Sequence, residues 1–453
     1  MEHADKLLLR SSPSEDTTPN TGLLLGRALA FENKKVVVGK DLVRSSHMMM
    51  NALIAGLVSS GVDVVDVGEV SEPVLAMAAS MGDCAVYVTE FRQYDLVSGY
   101  LLINKDGSYF NKEQLRQLDR VFTSEPAPTD YKSLGTVRMY YNAVRDYNDS
   151  LLALVQGTNG GSMVLDCNCG MATDSAPQVL NRIGTDIISM NAQKDQNFFS
   201  NSMSIKETDI KHMRALVEAN AGYIGISMNR IGTLLRVFDE SGDPLTDEQV
   251  LALLILYLKP KCLVVPMDVS WFISDLFYGK FSIDVTTPYQ DPDAEERRII
   301  PTYPASGDVF QAMSGLDNAL GYYDGGFITK GVSLNPDAIY ASILLSQFAA
   351  NNNIKGVVSK FPEYFSEQKS YKLTGNRGDF IRMMEQNIPN VSMMVKHIDD
   401  CWRADMPGGG FYVSLDSEHG DVVNVKAESG DKLYLLSLLE VIDSLIESCL
   451  SGQ

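Results

Sequence analysis

A chain of 453 residues allows about two to four domains, and its apolar fraction of 45% is enough to fill ordinary cores. A formal net charge of −20 argues against nucleic acid or an anionic membrane as main partner, because both demand a basic footprint, but it leaves small anions open. Six scattered cysteines are too few for a disulfide scaffold, and Met1 to Asn20 is polar with no long apolar run, so a cytoplasmic protein is expected.

Residues 1–20 read as a loose lead-in. Val36-Val37-Val38, ending at Gly39, reads as a buried strand. Ser45 and Ser46 are candidate caps for a helix over 48–60, which Gly61 stops. Val62 to Val67 reads as a strand, Pro73 to Met81 as a helix, and Ala85 to Thr89 as a strand. Strand and helix alternating in this way predict a mixed or parallel sheet covered by helices. The pattern restarts with the strand Met163 to Asp166, the small-residue turn Cys167 to Thr173 and a helix over 176–182. Strands over 186–190 and 223–228 then flank a helix over 210–219. A third round holds a helix over 247–258, a strand over 262–266 and a helix over 338–350. After Phe361 the texture changes: a helix over 375–386, an antiparallel pair over 411–415 and 422–427, and a final amphipathic helix over 432–450. Cys167 and Cys169 have no second pair, so a turn and packing role is expected rather than a metal site. The mixed charge run Asp291 to Arg298 reads as a solvated loop or helix start.

Several strings carry a resemblance. Val38-Gly39-Lys40-Asp41, Ser45-Ser46 and Asn51-Ala52-Leu53-Ile54-Ala55-Gly56-Leu57 are similar to V-G-R-D-T-R-L-S-S and N-A-L-I-A-G-L of the α-D-phosphohexomutase superfamily. Gly61 to Gly68 resembles the strand that follows there. Val164-Leu165-Asp166-Cys167-Asn168-Cys169-Gly170 resembles the opening of that family's second domain, and Asp239-Glu240-Ser241-Gly242 the turn after its metal loop. The match runs from about Leu24 to about Leu445. It implies an α/β protein of three mixed-sheet domains, 1–150, 151–245 and 246–360, plus a smaller C-terminal α+β domain, 361–453, around a central cleft.

The family reaction moves a phosphoryl group between two hydroxyls of one hexose phosphate. It needs a nucleophilic hydroxyl, a divalent cation and positive clamps, because charge builds on the transferring oxygens. The resemblance places Phe91 at the nucleophile, Leu101 at a downstream lysine, and Asn229, Ile231 and Thr233 at the three metal-binding aspartates. The sugar-recognition loop becomes Gly321-Tyr322-Tyr323-Asp324-Gly325-Gly326. The phosphate clamp becomes Ser414 to Gly420, which holds Asp416 and Glu418 and no cation. The family's N-terminal glycine-rich string is also missing before Leu23. Lys40, Arg44, Arg92, Arg230, Tyr322 and Asp324 are the residues left to touch a phosphate or sugar, with surface lysine and solvated loop arginines as the plainer readings.

These departures predict a catalytically inactive homologue that acts as a binding, regulatory or scaffold protein in carbohydrate metabolism, with no cofactor. Its expected partners are an active mutase, a sugar-nucleotide enzyme or a sugar phosphate. Two alternatives stand beside this. One is an active phosphoglucomutase or phosphomannomutase, an intramolecular phosphotransferase using Ser98 or Thr89 and a magnesium ion held elsewhere. The other is a sensor of sugar phosphates or nucleotides.

Overall fold

The structure, a computed structural model, describes residues 18–91, 97–155, 159–197, 207–304, 307–373, 375–392, 394–415 and 422–451. Its first unit runs α1 (Pro19–Leu29), β1 (Lys35–Lys40), α2 (Arg44–Ser59), β2 (Asp63–Glu69), α3 (Glu72–Ala78), β3 (Cys84–Phe91), β4 (Val97–Asn104), α4 (Lys112–Thr123), β5 (Val137–Met139) and α5 (Ala143–Leu154). The sheet order is β4-β3-β1-β2-β5, parallel except for β4. Val36, Val37 and Val38 are all fully buried, as an apolar run covered by helices on both faces requires. The helix expected over 48–60 begins at Arg44. Val43 is its cap residue, without a side-chain cap bond, so Ser45 and Ser46 lie inside the first turn and do not cap it. The lead-in expected over 1–20 gives way to a helix at Pro19, where proline suits the first turn because its missing N–H would be unpaired there. Residues 1–17 lie outside the described residues.

The second unit is β6 (Ser162–Asp166), α6 (Ala176–Arg182), β7 (Asp186–Met190), α7 (Glu207–Ala219), β8 (Ile224–Met228) and β9 (Leu235–Phe238), in the order β7-β6-β8-β9. The third is α8 (Asp247–Leu258), β10 (Cys262–Pro266), α9 (Trp271–Phe277), β11 (Arg298–Thr302), α10 (Asp308–Met313), β12 (Ala319–Tyr323), β13 (Gly326–Thr329), α11 (Ala338–Ala349) and α12 (Ile354–Val358), in the order β11-β10-β12-β13. Each of the first three sheets therefore contains one pattern: the first strand between the second and third, and the fourth antiparallel at the edge beside the third.

Helices α8 and α11 are apolar all round and buried along nearly their whole length. That is the composition of a helix packed between layers, with no face left for water. A capping box (Thr246 with Gln249) starts α8, and the Asp337 carboxylate caps α11. One continuous core, from Leu75 and Tyr147 through Leu165 and Ile226 to Leu263 and Leu344, joins the three units.

The fourth unit is β14 (Phe365–Lys372), α13 (Arg377–Val391), β15 (Met394–Ile398), β16 (Cys401–Met406), β17 (Gly409–Leu415), β18 (Val422–Ser429) and α14 (Lys432–Ser451). Its sheet, β14-β18-β17-β16-β15, is wholly antiparallel and keeps a separate core around Phe380, Trp402, Phe411 and Leu438. The α/β class with a C-terminal α+β unit is thus as the sequence implies. Among the described residues no helix is long and apolar enough to cross a membrane.

Candidate functional site

The C-terminal ends of β1, β2, β3 and β8 converge on one polar junction. At the end of β1, Asp41 is buried; Thr89 Oγ1 donates to its Oδ2 (2.8 Å), and the Val43 N–H to its Oδ1 (3.0 Å). Parallel pairing makes this possible, because Lys40 lies opposite Val88 and the next residues along are Asp41 and Thr89. Lys40 is only 7% exposed, so the surface-lysine reading fails. Its ammonium is 2.8 Å from Glu69 Oε2 and donates to the Asp41 carbonyl. Lys194 pairs with Asp174 at 2.6 Å and reaches Glu69 at 3.7 Å. Burial would raise the Glu69 carboxyl, but Lys40 and then Lys194 hold it below its ordinary value.

Asn229 to Leu234, between β8 and β9, plugs into this junction. Asn229, Arg230 and Thr233 are each 6% exposed. The Ile231 carbonyl accepts from the Glu72 N–H of the first unit (2.9 Å), and the Gly232 carbonyl from the Ala338 N–H of the third (3.0 Å). Met171 N–H donates to the Arg230 carbonyl (2.6 Å), and a Cβ on Gly170 would sit 2.6 Å from Arg230 Cα, so only glycine lets the two backbones meet. The Arg230 guanidinium is buried, not solvated, and its Nη2 has no hydrogen-bond partner among the described residues.

The loop at 321–326 is a tight hairpin. Asp324 and Gly325 both have positive φ (48° and 80°), the requirement of a two-residue turn between twisted strands. It abuts the Asn229 loop, since a Cβ on Gly326 would meet Leu234 Cδ2 at 3.3 Å. Tyr322 is half-buried with its hydroxyl 3.4 Å from Asp247 Oδ2, and burial foremost raises its pKa; Asp324 is exposed. Arg44 is exposed on the first turn of α2. The backbones of Phe91 and Ser98 lie in the β3–β4 ladder, where Phe91 pairs with Val97 and Ser98 with Glu90. Arg92 lies outside the described residues, as do Asp416 and Glu418. The structure therefore gathers Lys40, Thr89, Asn229, Ile231, Thr233 and Arg230 at one place. It also adds Asp41, Glu69, Glu72 and Lys194, which the sequence comparison did not single out; Asp41 lay inside the V-G-K-D string and was available.

The Asn229 loop does not suit a divalent cation. The Asn229 Oδ1 already accepts the N–H groups of Gly232 (2.9 Å), Thr233 (2.8 Å) and Leu234 (3.1 Å), and its Nδ2 donates to Thr233 Oγ1 (2.9 Å). Ile231 offers no oxygen on its side chain, and Arg230 adds a like charge. Magnesium calls for carboxylates, phosphate or water in near-octahedral array, and this turn supplies none from its side chains. Among the described residues, no group of three or more His, Cys, Asp or Glu is placed to hold a metal. Cys167 and Cys169 are buried at their turn, with burial pushing the Cys167 thiol up to about 12.

Residues 9–128 match the family model described as phosphoglucomutase/phosphomannomutase, alpha/beta/alpha domain I. A probable phosphoglucosamine mutase of Methanocella arvoryzae is 26% identical over 437 residues, covering 96% of this chain and 95% of its own. The chain is thus similar to the phosphohexomutase superfamily along nearly its whole length. A probable phosphoglucosamine mutase of Methanosarcina acetivorans and a phosphoglucosamine mutase of Methanocaldococcus jannaschii, 25% and 23% identical, align over 98% and 97% of this chain and of their own. The crystal structure of a phosphoglucomutase/phosphomannomutase family protein from Burkholderia thailandensis superposes with a TM-score of 0.78 at 18% identity, over 98% of this chain and 97% of that one, and establishes the shared fold.

This similarity corrects the expectation of an inactive binding, regulatory or scaffold homologue. The relatives that align from end to end are named as mutases, so the active-mutase alternative fits better. The physical reason is that altered motif positions remove particular groups, while the structure still brings a hydroxyl, a carboxylate and buried cations to one junction. The expectation of no cofactor likewise finds no support. A structural neighbour from Aspergillus fumigatus is described as N-acetylphosphoglucosamine mutase in complex with GlcNAc-6P and magnesium (TM-score 0.51, 10% identity, 91% of this chain and 82% of that one).

Proposed function

We propose that this chain is an intramolecular phosphotransferase that moves a phosphoryl group between two hydroxyls of one hexose phosphate, with a hexosamine phosphate as the favoured substrate class. The end-to-end similarity to proteins named phosphoglucosamine mutase supports the reaction and the amino-sugar preference. The single geometric observation behind it is the Thr89–Asp41 hydrogen bond at the junction. Thr89 lies two residues before the family's nucleophile position at Phe91, and its hydroxyl already points its proton at a carboxylate. As Oγ1 bonds to phosphorus, Asp41 takes the Thr89 proton and the sugar oxygen leaves with a proton from water. When the second sugar hydroxyl attacks the phosphothreonine, it gives its proton to water and Oγ1 leaves with the proton held on Asp41. Thr89 is 1% exposed, so a phosphate reaches Oγ1 only if the groups that cover it move.

The test is a coupled assay of purified protein with glucosamine 1-phosphate, glucose 1-phosphate and mannose 1-phosphate, each with its bisphosphate primer, with and without magnesium. Phosphopeptide mapping after incubation with the bisphosphate follows. Turnover with a phosphorylated Thr89 is expected. A phosphate mapped to Ser98 would move the nucleophile to the neighbouring strand, and absence of turnover with all three sugars would remove the reading.

A further inference from the structure

The junction carries an imbalance that the mutase reading does not use. Three cations meet there, and two are matched: Lys40 by Glu69, and Lys194 by Asp174 and Glu69. Two buried carboxylates lie beside them. Asp41 accepts from Thr89 and the Val43 N–H, and Glu72 from the Tyr109 hydroxyl and from Asn335 Nδ2 (3.2 Å). Arg230 is the third cation. It is 94% removed from solvent, and its Nη2 is enclosed with no hydrogen-bond partner among the described residues. Ser71 Oγ is a second enclosed group without a partner, and the Ser71 side chain packs against the same loop, its Cβ 3.4 Å from where a Cβ on Gly232 would lie.

A guanidinium is strongly penalised when taken out of water unless an anion or good acceptors replace the lost hydration. Here the backbone holds it in place regardless: Met171 N–H fixes its carbonyl, and Gly170 admits its Cα. Its loop meets the first unit directly, since the Glu72 N–H donates to the carbonyl of the next residue, Ile231 (2.9 Å). Arg230 also sits in the loop where the family resemblance puts carboxylates around a cation, a loop that Asn229 has closed on itself.

We propose that Arg230 is an anion-binding residue of the cleft, which takes a phosphate-type oxyanion directly on its guanidinium, with Ser71 Oγ as a second donor and no divalent ion between. The protein thus supplies from its own chain a fixed positive charge at the loop that cannot cage a metal. A guanidinium suits this role, since its planar donors match two oxygens of a phosphate. The oxyanion class follows from Arg230 alone; naming a hexose phosphate as its source rests on the mutase reading.

The experiment is isothermal titration of full-length protein with inorganic phosphate and with glucosamine 6-phosphate, both in EDTA, for wild type, R230K and R230Q. Wild type is expected to bind in EDTA. R230Q is expected to lose about ten- to a hundredfold in affinity, the weight of one charge-assisted contact, and R230K to fall between. Thermal unfolding in phosphate-free buffer gives an independent reading. R230M, which keeps the aliphatic stem, should melt at or above wild type and lose the upward shift that phosphate gives wild type. Binding by R230Q equal to wild type, binding that appears only with magnesium, or an R230M protein that melts well below wild type without phosphate would each overturn the proposal. Retention of inorganic phosphate but not of the sugar phosphate would uphold the anion site. No readout here depends on turnover, so the role of Arg230 is tested even in a chain that fails the mutase assay.

Discussion

Thr89 and Asp41 meet at the ends of neighbouring parallel strands, and Ser227 and Asp166 meet in the same way in the second unit. Thr89 Oγ1 is 2.8 Å from Asp41 Oδ2, and Ser227 Oγ is 3.3 Å from Asp166 Oδ2, with Asp166 opposite Ser227 in the β6–β8 ladder. The shared topology thus supplies its own control, because a hydroxyl–carboxylate pair that only caps strand ends should behave alike in both units. Thr89→Ala is expected to abolish turnover, Asp41→Asn to slow it by about a hundred- to ten-thousandfold as for a lost general base, and Thr89→Ser to retain it. Ser227→Ala should leave kcat within a few-fold and cost only about 1 kcal/mol of stability. Equal losses of kcat in the T89A and S227A proteins, measured beside their melting curves, would assign the Thr89 bond to structure alone.

Asp337 couples the stability of the molecule to pH. Its carboxylate caps α11 through the Tyr340 N–H (2.8 Å) and accepts from Tyr147 of the first unit (2.7 Å), yet burial outweighs both and pushes its carboxyl up to about 6. The folded state therefore holds this proton more tightly than the unfolded chain. The associated stability is present at low pH and is lost as pH rises through about 6. The gap from an ordinary carboxylate corresponds to at most about 3 kcal/mol. Asp337→Asn keeps an acceptor for both partners and carries no charge. Near neutral pH it should melt at least as high as wild type, and the difference should shrink on acidification towards about pH 5. Parallel pH profiles of the two midpoints would contradict this.

Much of the fold could be read from the sequence where burial was two-sided. Val36–Val38 and Met163–Leu165 are continuous apolar runs, and both lie in central strands. β14 escaped because Phe365–Lys372 is half-exposed and polar, with no run to betray it; β4 was missed because its pairing with β3 is a property of the hairpin and not of its own composition. The site was legible only as a set of altered family positions. That Lys40 is buried against Glu69, that Arg230 is enclosed, and that Asp41 reaches Thr89 all depend on which strands lie side by side, and periodicity along one strand does not carry that information.

Arg403 fastens the fourth unit to the third. It is 2% exposed; its Nη1 donates to the carbonyls of Met267 (2.8 Å) and Val269 (2.5 Å), its Nε to Asp405 (2.9 Å), and its guanidinium lies 3.9 Å from the centre of the Trp271 ring. Trp271 Nε1 also donates to Asp405 (2.8 Å), so one network crosses the boundary. Arg403→Ala leaves two buried carbonyls and a carboxylate short of a donor and should cost about 3–5 kcal/mol. Arg403→Lys should recover little, because an ammonium cannot stack and fork in this way. Limited proteolysis should release a C-terminal fragment from the alanine variant well before wild type is cut. Equal digestion rates with unchanged melting would show that the docking rests elsewhere.

Asn229 closes the loop at the three-unit junction by itself, and that gives a contrast between two substitutions of similar size. Asn229→Ala strips the acceptor from three enclosed N–H groups and the partner from Thr233, a loss of about 3 kcal/mol or more. Asn229→Asp keeps an oxygen facing those N–H groups, and a carboxylate accepts them at least as well, so its cost should stay below about 1.5 kcal/mol. The same aspartate should not create a magnesium site, because Ile231 and Thr233 bring no second carboxylate and Arg230 stands next in the chain. Melting midpoints of the two variants, with and without magnesium, measure both statements. An N229A protein as stable as wild type, or an N229D protein that magnesium stabilises, would mean that the turn is held open by something other than the Asn229 amide.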